Sequence, residues 1–303
     1  MAIKTVGIVG MGALGVLFGE YLSNHLGKEN VGFVLSAIRQ QKYEKARVSL
    51  NGMPCDFRMI SDQEGEPTVD LLIFTVKANA LESAMETAKH LIGQHTVNIS
   101  LLNGISSETI IGQRYGREKM LVTVAQGMDA VKIGPDLTYS KFGQLRIGTL
   151  EKDISNLEAV CRLFDKIALP YTRESDIVHR LWSKFMLNVG VNQVVMVYEG
   201  AYETVQQPGE PRDKMVAAMG EVIRLAKAEG IMISEEELLA YVSLVDTLSP
   251  TGMPSMRQDG LRHDYSEVEL FSGTVLKLGK KHRIKTPVNE VLYHQIMKIE
   301  ENY

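Results

Sequence analysis

Three polar side chains recur at a four-residue spacing in a largely apolar stretch past the middle of the chain. Lys184, Asn188 and Asn192 stand at i, i+4 and i+8 within residues 184–197, where almost every other residue is apolar. On an α-helix that spacing places them along one face, drifting by about 40° from one to the next. A buried polar group without a partner costs on the order of 1–3 kcal/mol, so all three need partners. A neighbouring helix is one source, with the lysine reaching out to water; a ligand is the other. A lysine partly withdrawn from water beside a redox cofactor has the chemistry to protonate a carbonyl oxygen as hydride reaches the carbon.

Two more candidates stand where a strand gives way to a loop. Lys77 comes directly after the dense apolar run at residues 70–76 (DLLIFTV), and Asn103-Gly104 directly after residues 96–102. Ligands of open α/β sheets bind outside the carboxyl ends of the strands, where both would lie. An Asn-Gly pair is also a turn former, so Asn103 is either a ligand bridge or a turn residue.

A third group is the run Gly10-Met11-Gly12-Ala13-Leu14-Gly15. It comes after a strand pattern and opens a helix pattern, the setting in which GxGxxG binds a dinucleotide. Gly10 would allow the tight turn, Gly12 the approach of a pyrophosphate, and Gly15 close packing of helix on sheet. The positive end of that helix would face the phosphates. The next strand ends Phe33-Val34-Leu35-Ser36-Ala37-Ile38-Arg39, with no acid to bind ribose hydroxyls. Ser36 and Arg39 suit a 2′-phosphate instead, which favours NADPH over NADH.

A scaffold must hold these residues in place. Strands are expected at residues 5–9, Val31–Leu35, 70–76, 96–102, 121–125 and 145–148, with helices at Ala13–Leu26 and 80–91. The dense run at 70–76 reads as a central strand buried on both faces. From about residue 175 the apolar spacing becomes helical: 176–197, 213–229, 235–244, 265–280 and 288–299. Ser175 and Ser234 are candidate N-caps, Pro287 a first-turn proline and Gly230 a left-handed cap. Residues 206–212 and 249–258 read as loops. The expected architecture is α/β, a parallel sheet with crossover helices over residues 1–170, then an all-helical domain over 171–303.

Composition sets the outer limits. The 303 residues carry 33 Lys+Arg against 37 Asp+Glu, a formal net charge of −4, with 45% hydrophobic residues. That mild acidity argues against nucleic acid or an anionic membrane as the main partner. Cys55 and Cys161 are too few and too far apart for a disulfide framework or zinc site, and no metal site is expected. No signal peptide is read at the start, and no uncharged stretch reaches the ~20 apolar residues of a membrane span. A soluble cytoplasmic protein is the expectation.

Several segments together resemble the 2-dehydropantoate 2-reductases (ketopantoate reductases). These are GMGALG at 10–15, TVKA at 75–78, NGI at 103–105, WSKFMLNVGVN at 182–192, SMRQD at 255–259 and SEVELFSG at 266–273, with TPVNEVLY at 286–293 like the family's final helix. They fall in the family's order over nearly the whole chain. The resemblance implies a Rossmann domain and a helical domain like that of 6-phosphogluconate dehydrogenase, with the active site in a cleft between them. It implies NADPH-dependent reduction of ketopantoate to pantoate, on the route to pantothenate and coenzyme A. By position, Lys184 corresponds to the proton donor and Glu267 to the carboxylate beside it. Asn188 and Asn192 correspond to amides holding the substrate's oxygens, and Ser255 to a hydroxyl on its carboxylate. Asn103 and Lys77 correspond to residues at the cofactor–substrate junction, and Arg39 lies near the 2′-phosphate residue. Read alone, Glu267 is equally a first-turn carboxylate on the helix dipole, and Ser255 a turn residue.

The chain also departs from the family. Where a proline and a small or hydroxyl residue commonly come after Asn192, it has Gln193-Val194-Val195-Met196. One hydroxyl, Ser255, stands after Pro254 where a serine pair is usual, and Tyr265-Ser266 precedes Glu267. Such changes are expected to reshape the substrate pocket, which keeps a reductase of another branched 2-keto acid in view. A regulator that binds NADP(H) without catalysis is the alternative from a different class. A homodimer is the candidate assembly.

Overall fold

The computed structural model describes residues 2–62 and 65–303. The chain divides into two compact units, one of residues 1–102 and 106–177, the other of 103–105 and 178–303.

The first unit is built on an eight-stranded sheet in the order β12-β11-β8-β7-β6-β1-β2-β5. Its strands are β1 (Val6–Val9), β2 (Val31–Leu35), β5 (Arg58–Ser61), β6 (Leu71–Phe74), β7 (Val97–Ser100), β8 (Met120–Gln126), β11 (Gln144–Gly148) and β12 (Tyr171–Arg173). From β5 to β8 the pairing is parallel throughout. The expected parallel sheet is present, with one antiparallel pairing at its edge, where β11 runs against β8. No crossover helix separates those two strands. The chain between them forms part of a small second sheet, β4-β3-β10-β9, made of β3 (Ser49–Leu50), β4 (Met53–Pro54), β9 (Val131–Ile133) and β10 (Asp136–Thr138).

All four residues of β1, β6 and β7 are buried, the signature of strands covered on both faces. On one face α1 (Ala13–Leu26) and α5 (Ser155–Lys166) pack Val16, Phe18, Leu22, Leu157 and Phe164 against Ile8, Ile73 and Ile99. On the other, α3 (Leu81–Ala88) and α4 (Ser107–Tyr115) pack Leu81, Met85 and Ile111 against Leu72 and Phe74. The helix α2 (Ala37–Lys45) comes after β2. The chain passes from β1 to β2 and β5 on one side, then returns to β6 on the other. The switch point, where such sheets bind ligands, is therefore the gap between the carboxyl ends of β1 and β6.

The second unit is helical: α6 (Ile177–Val197), α7 (Glu203–Gln206), α8 (Glu210–Ala228), α9 (Glu235–Asp246), α10 (Ser255–Leu261), α11 (Thr274–His282) and α12 (Pro287–Glu300). Ser234 caps α9 by accepting the Glu237 N–H, Pro287 opens α12, and Gly230 takes a φ of +84° after α8.

Several boundaries differ from expectation. The division near 170 falls inside the first unit, because β12 adds to the sheet edge before the chain leaves at residue 177. Ser175 is no cap, since α6 starts at Ile177. Residues 255–261 are a helix rather than loop, and residues 206–212 span the end of α7 and the start of α8. The helix expected over 265–280 begins later, with one π-helical turn at Glu269–Gly273 before α11.

Candidate functional site

The glycine run occupies the switch point of the first unit. Thr75, directly after β6, donates its hydroxyl to Gly10 O (2.8 Å) and Val9 O (3.1 Å), and its N–H to Val9 O (2.9 Å). The strand-to-helix turn is thereby fastened to its neighbour. Gly10 has a φ of +111°, a backbone conformation that L side chains rarely adopt. A Cβ at Gly15 would lie 2.1 Å from Gly10 O, so close packing of helix on turn demands glycine there.

Gly12 is different. A Cβ there would meet only Thr75 O, at an ordinary 3.6 Å, and Gly12 has extended backbone angles. Packing within the protein does not require glycine at this position. The helix it opens has no side-chain cap and no acid in its first turn. Its leading N–H groups and positive dipole end therefore face an exposed glycine, the cradle a pyrophosphate needs. Met11 is buried, Ala13 and Leu14 are half-buried, and all three hold this backbone in place.

Beside the turn lies a cavity of about 180 Å³ lined by Gly10, Ser36, Arg39, Val76, Ser83 and Thr87, among others. Ser36 O accepts the Gln40 N–H, which puts Ser36 at the N-terminal end of α2, and Arg39 is exposed one turn further on. The left-handed Gly10 turn, a hydroxyl and a guanidinium line the same cavity. Lys77 is exposed three residues beyond β6.

The second unit brings together residues far apart in sequence. Lys184 Nζ donates to Asn103 Oδ1 (3.1 Å), and Asn103 Nδ2 donates to Glu267 Oε2 (2.9 Å). Asn103 therefore has its amide fully oriented, carbonyl toward the lysine and NH₂ toward the carboxylate. The turn that presents it has Gly104 at φ +86°, and a Cβ there would touch the Leu270 side chain at 3.4 Å. Leu270 belongs to the π-turn just after Glu267, so one segment holds both Glu267 and the Asn103 turn.

Along the same face of α6, Asn188 is half-buried and Asn192 only 7% exposed. Neither amide has a hydrogen-bond partner among the described residues. A neighbouring helix is thus not what these two amides serve. Ser255 is exposed at the first position of α10 and is not hydrogen-bonded to this cluster.

The departures after Asn192 do not line this face. Gln193, Val194, Val195 and Met196 are each 0% exposed. Met196 packs on Gly260, whose Cβ would stand 2.8 Å from its sulfur, and Gln193 hydrogen-bonds to other interior groups. All four side chains therefore lie in the interior, Gln193 because it leaves α6 about 100° round from Asn192, and Met196, only about 40° round from Asn192, because it packs on Gly260. The reading of single motifs also passed over Thr75, whose signal lay in the quoted TVKA. The thiols stand apart from all of this: burial and then Glu20 push Cys55 up to about 12. No cluster of metal ligands occurs among the described residues.

Comparisons with known proteins show the family and the fold. Residues 6–152 match the family model "Ketopantoate reductase PanE/ApbA", and residues 176–300 match its C-terminal counterpart. The chain is 25% identical over 301 residues to a 2-dehydropantoate 2-reductase of Vibrio cholerae serotype O1, covering 98% of each. It is 25% identical over 300 residues to one from Aquifex aeolicus, covering 94% of this chain and 93% of that one. Among solved structures, a D-mandelate dehydrogenase with NADH and anilino(oxo)acetate superposes with a TM-score of 0.86 at 23% identity, covering 98% and 99% of the two chains. A 2-dehydropantoate 2-reductase from Geobacter metallireducens gives 0.85 at 22%, covering 97% and 99%. Both structures share the fold. With the two family models together spanning most of its length, the chain belongs to the ketopantoate reductase family.

Proposed function

We propose that this protein reduces the 2-keto group of 2-dehydropantoate to the alcohol of pantoate, using NADPH, with Lys184 as proton donor. The observation that carries the reading is the run Lys184–Asn103–Glu267 beside two unpartnered amides, Asn188 and Asn192, on one helix face. A bound nicotinamide supplies hydride to C2 of the keto acid. The Lys184 ammonium gives a proton to the oxygen of that carbonyl as negative charge develops on it. Asn103 orients the ammonium through its carbonyl, and Glu267 fixes Asn103 through its NH₂ group. Asn188 and Asn192 hold the substrate's oxygens with amides that have no protein partner to give up among the described residues. Ser255 is assigned to the substrate carboxylate and Lys77 to the cofactor–substrate junction, by position in the family's motifs.

NADPH is favoured over NADH because no acid ends β2, while Ser36 and Arg39 share a cavity wall with Gly10. The interior placement of residues 193–196 supports the family's own substrate over another branched keto acid, since these four departures leave the Lys184, Asn188 and Asn192 side chains in place. The complete Lys184–Asn103–Glu267 run supports an enzyme over an inactive regulator. A homodimer is the assembly proposed, supported by exposed Met232, Leu239 and Leu244 on the helical unit. Its place is the cytoplasmic route to pantothenate and coenzyme A.

Steady-state rates with 2-dehydropantoate and a panel of 2-keto acids, each with NADPH and NADH, test the reading. The highest kcat/KM is expected for 2-dehydropantoate with NADPH. A far higher value for another acid overturns the substrate, and cofactor binding without turnover of any acid points to the regulator.

A further inference from the structure

The helical unit contains a buried polar network behind the catalytic face, centred on Gln193. Nine residues separate Gln193 from Lys184, about two and a half helical turns, so the two side chains leave α6 on opposite sides. Gln193 Oε1 accepts the backbone N–H of Ser272 (3.1 Å), while its Nε2 donates to Val189 O (2.7 Å) and Asn289 Oδ1 (3.2 Å). Asn289 Oδ1 also accepts the Ser272 hydroxyl (3.1 Å), and Asn289 Nδ2 donates to Glu221 Oε2 (2.8 Å). The Glu221 carboxylate accepts the N–H groups of Val288 (2.9 Å) and Asn289 (3.0 Å) at the start of α12. Gln193, Ser272 and Asn289 are 0% exposed and Glu221 is 1% exposed.

The bond to Ser272 has a particular geometry. In the π-turn Gly273 N–H reaches back to Val268 O (3.0 Å), the acceptor that Ser272 would use in an α-helix. Ser272 N–H is left over by that widening, and Gln193 takes it. A buried N–H without an acceptor costs about as much as a lost hydrogen bond, so the π-turn depends on this side chain. The same turn lies directly after Glu267, its first bonds accepted by Glu267 O, and carries Leu270 under Gly104. Both sides of the Asn103 amide therefore rest on a turn whose shape Gln193 stabilises. π-turns recur at functional sites for such reasons.

We infer that Gln193 is a positioning residue for the reduction: by holding Ser272 N–H it keeps the π-turn that aims Glu267 and Asn103 at Lys184. The inference rests on the roles proposed above for those three residues. Misplacement of reacting groups by about 1 Å can cost 10²-fold in rate, so loss of this brace acts on kcat.

Two substitutions test it. Gln193→Met keeps the length and removes the amide. It is expected to lower kcat at least tenfold with KM changed less than threefold, measured well below its melting temperature. In a Glu267→Gln background the same change is expected to lower kcat by a clearly smaller factor, because one of the two groups it aims has already lost its charge. Gln193→Glu keeps an acceptor for Ser272 N–H and, protonated, a donor for Asn289 or Val189. It is expected to hold kcat within about threefold of the unmutated protein at low pH. A new loss of kcat, not KM, is expected as the pH rises and the buried carboxyl ionises. Should Gln193→Met not fold, that pH limb carries the test alone. Unchanged kcat in Gln193→Met, effects that multiply independently with Glu267→Gln, or no new limb in Gln193→Glu overturns the inference. Failure of the unmutated protein to reduce any keto acid defeats the proposed function instead, an outcome distinguishable from each of these.

Discussion

At the scale of single residues, the proposed chemistry rests on an amide oriented from both ends. Asn103 receives from Lys184 and gives to Glu267, so neither charged group needs to be rigid by itself. Removing the proton donor tests this most directly. Lys184→Ala is expected to lower kcat by about 10²–10⁴-fold, the span of general-acid catalysis, with a smaller change in KM. A steady-state comparison at saturating cofactor checks it, and undiminished turnover would mean that another group delivers the proton.

At the scale of elements, similar glycines do unlike work. Gly15→Ala would press a methyl to 2.1 Å from Gly10 O, and is expected to destabilise the first unit and melt well below the unmutated protein. Gly12→Ala meets nothing closer than 3.6 Å. It is expected to fold with stability within about 1 kcal/mol of the original yet bind cofactor at least tenfold more weakly, since the proposed pyrophosphate would lie in that space. Thermal melts without cofactor and a fluorescence titration with it separate the two effects.

The segment 206–212 is explained at the same scale. Arg212 donates to Val205 O and Gln206 O (both 3.0 Å) and pairs with both oxygens of Asp246 (2.7 Å each), which braces α7 and α8 against the end of α9. The Arg212 hydrogen bonds hold the Asp246 carboxyl below its usual range. Arg212→Ala is expected to cost about 1–3 kcal/mol at neutral pH, discounted because Asp246 is 40% exposed. A carboxylate whose folded pKa is depressed contributes fully above its unfolded value, near ~3.9, and loses that contribution as pH falls through the folded pKa. The gap between variant and original is thus expected to narrow below about pH 4, as denaturant melts at pH 7 and pH 3 would show.

At the scale of the whole molecule, a net charge of −4 coexists with a proposed site for two anions. Under that proposal the cations are Arg39 and Lys77 on the first unit and Lys184 on the second. Ligand binding stabilises the folded state by about 2.7 kcal/mol at a hundred times Kd, so NADPH is expected to raise the melting temperature more than NADH at equal concentration. Arg39→Ala is expected to weaken NADPH binding about tenfold and leave NADH nearly unchanged. Equal shifts for the two cofactors with the unmutated protein would refute the 2′-phosphate assignment.

Features governed by neighbours in the chain were legible in the amino-acid order alone. Short apolar runs marked β1, β2, β6 and β7, and 3.6-residue periods most helices; the setting of GMGALG marked the strand-to-helix turn; and the spacing of Lys184, Asn188 and Asn192 marked one helix face. Local rules also placed the caps at Ser234, Gly230 and Pro287. Short strands such as β12 and the small second sheet escaped, because two or three residues carry too little periodicity and are held by long-range pairing. Folding in three dimensions was needed to bring Asn103 into the helical unit, to set a π-turn after Glu267, and to face Gln193 inward while Asn192 stays on the polar face. Those arrangements depend on hydrogen bonds between residues 79 to 164 positions apart, and no local pattern encodes a bond of that span.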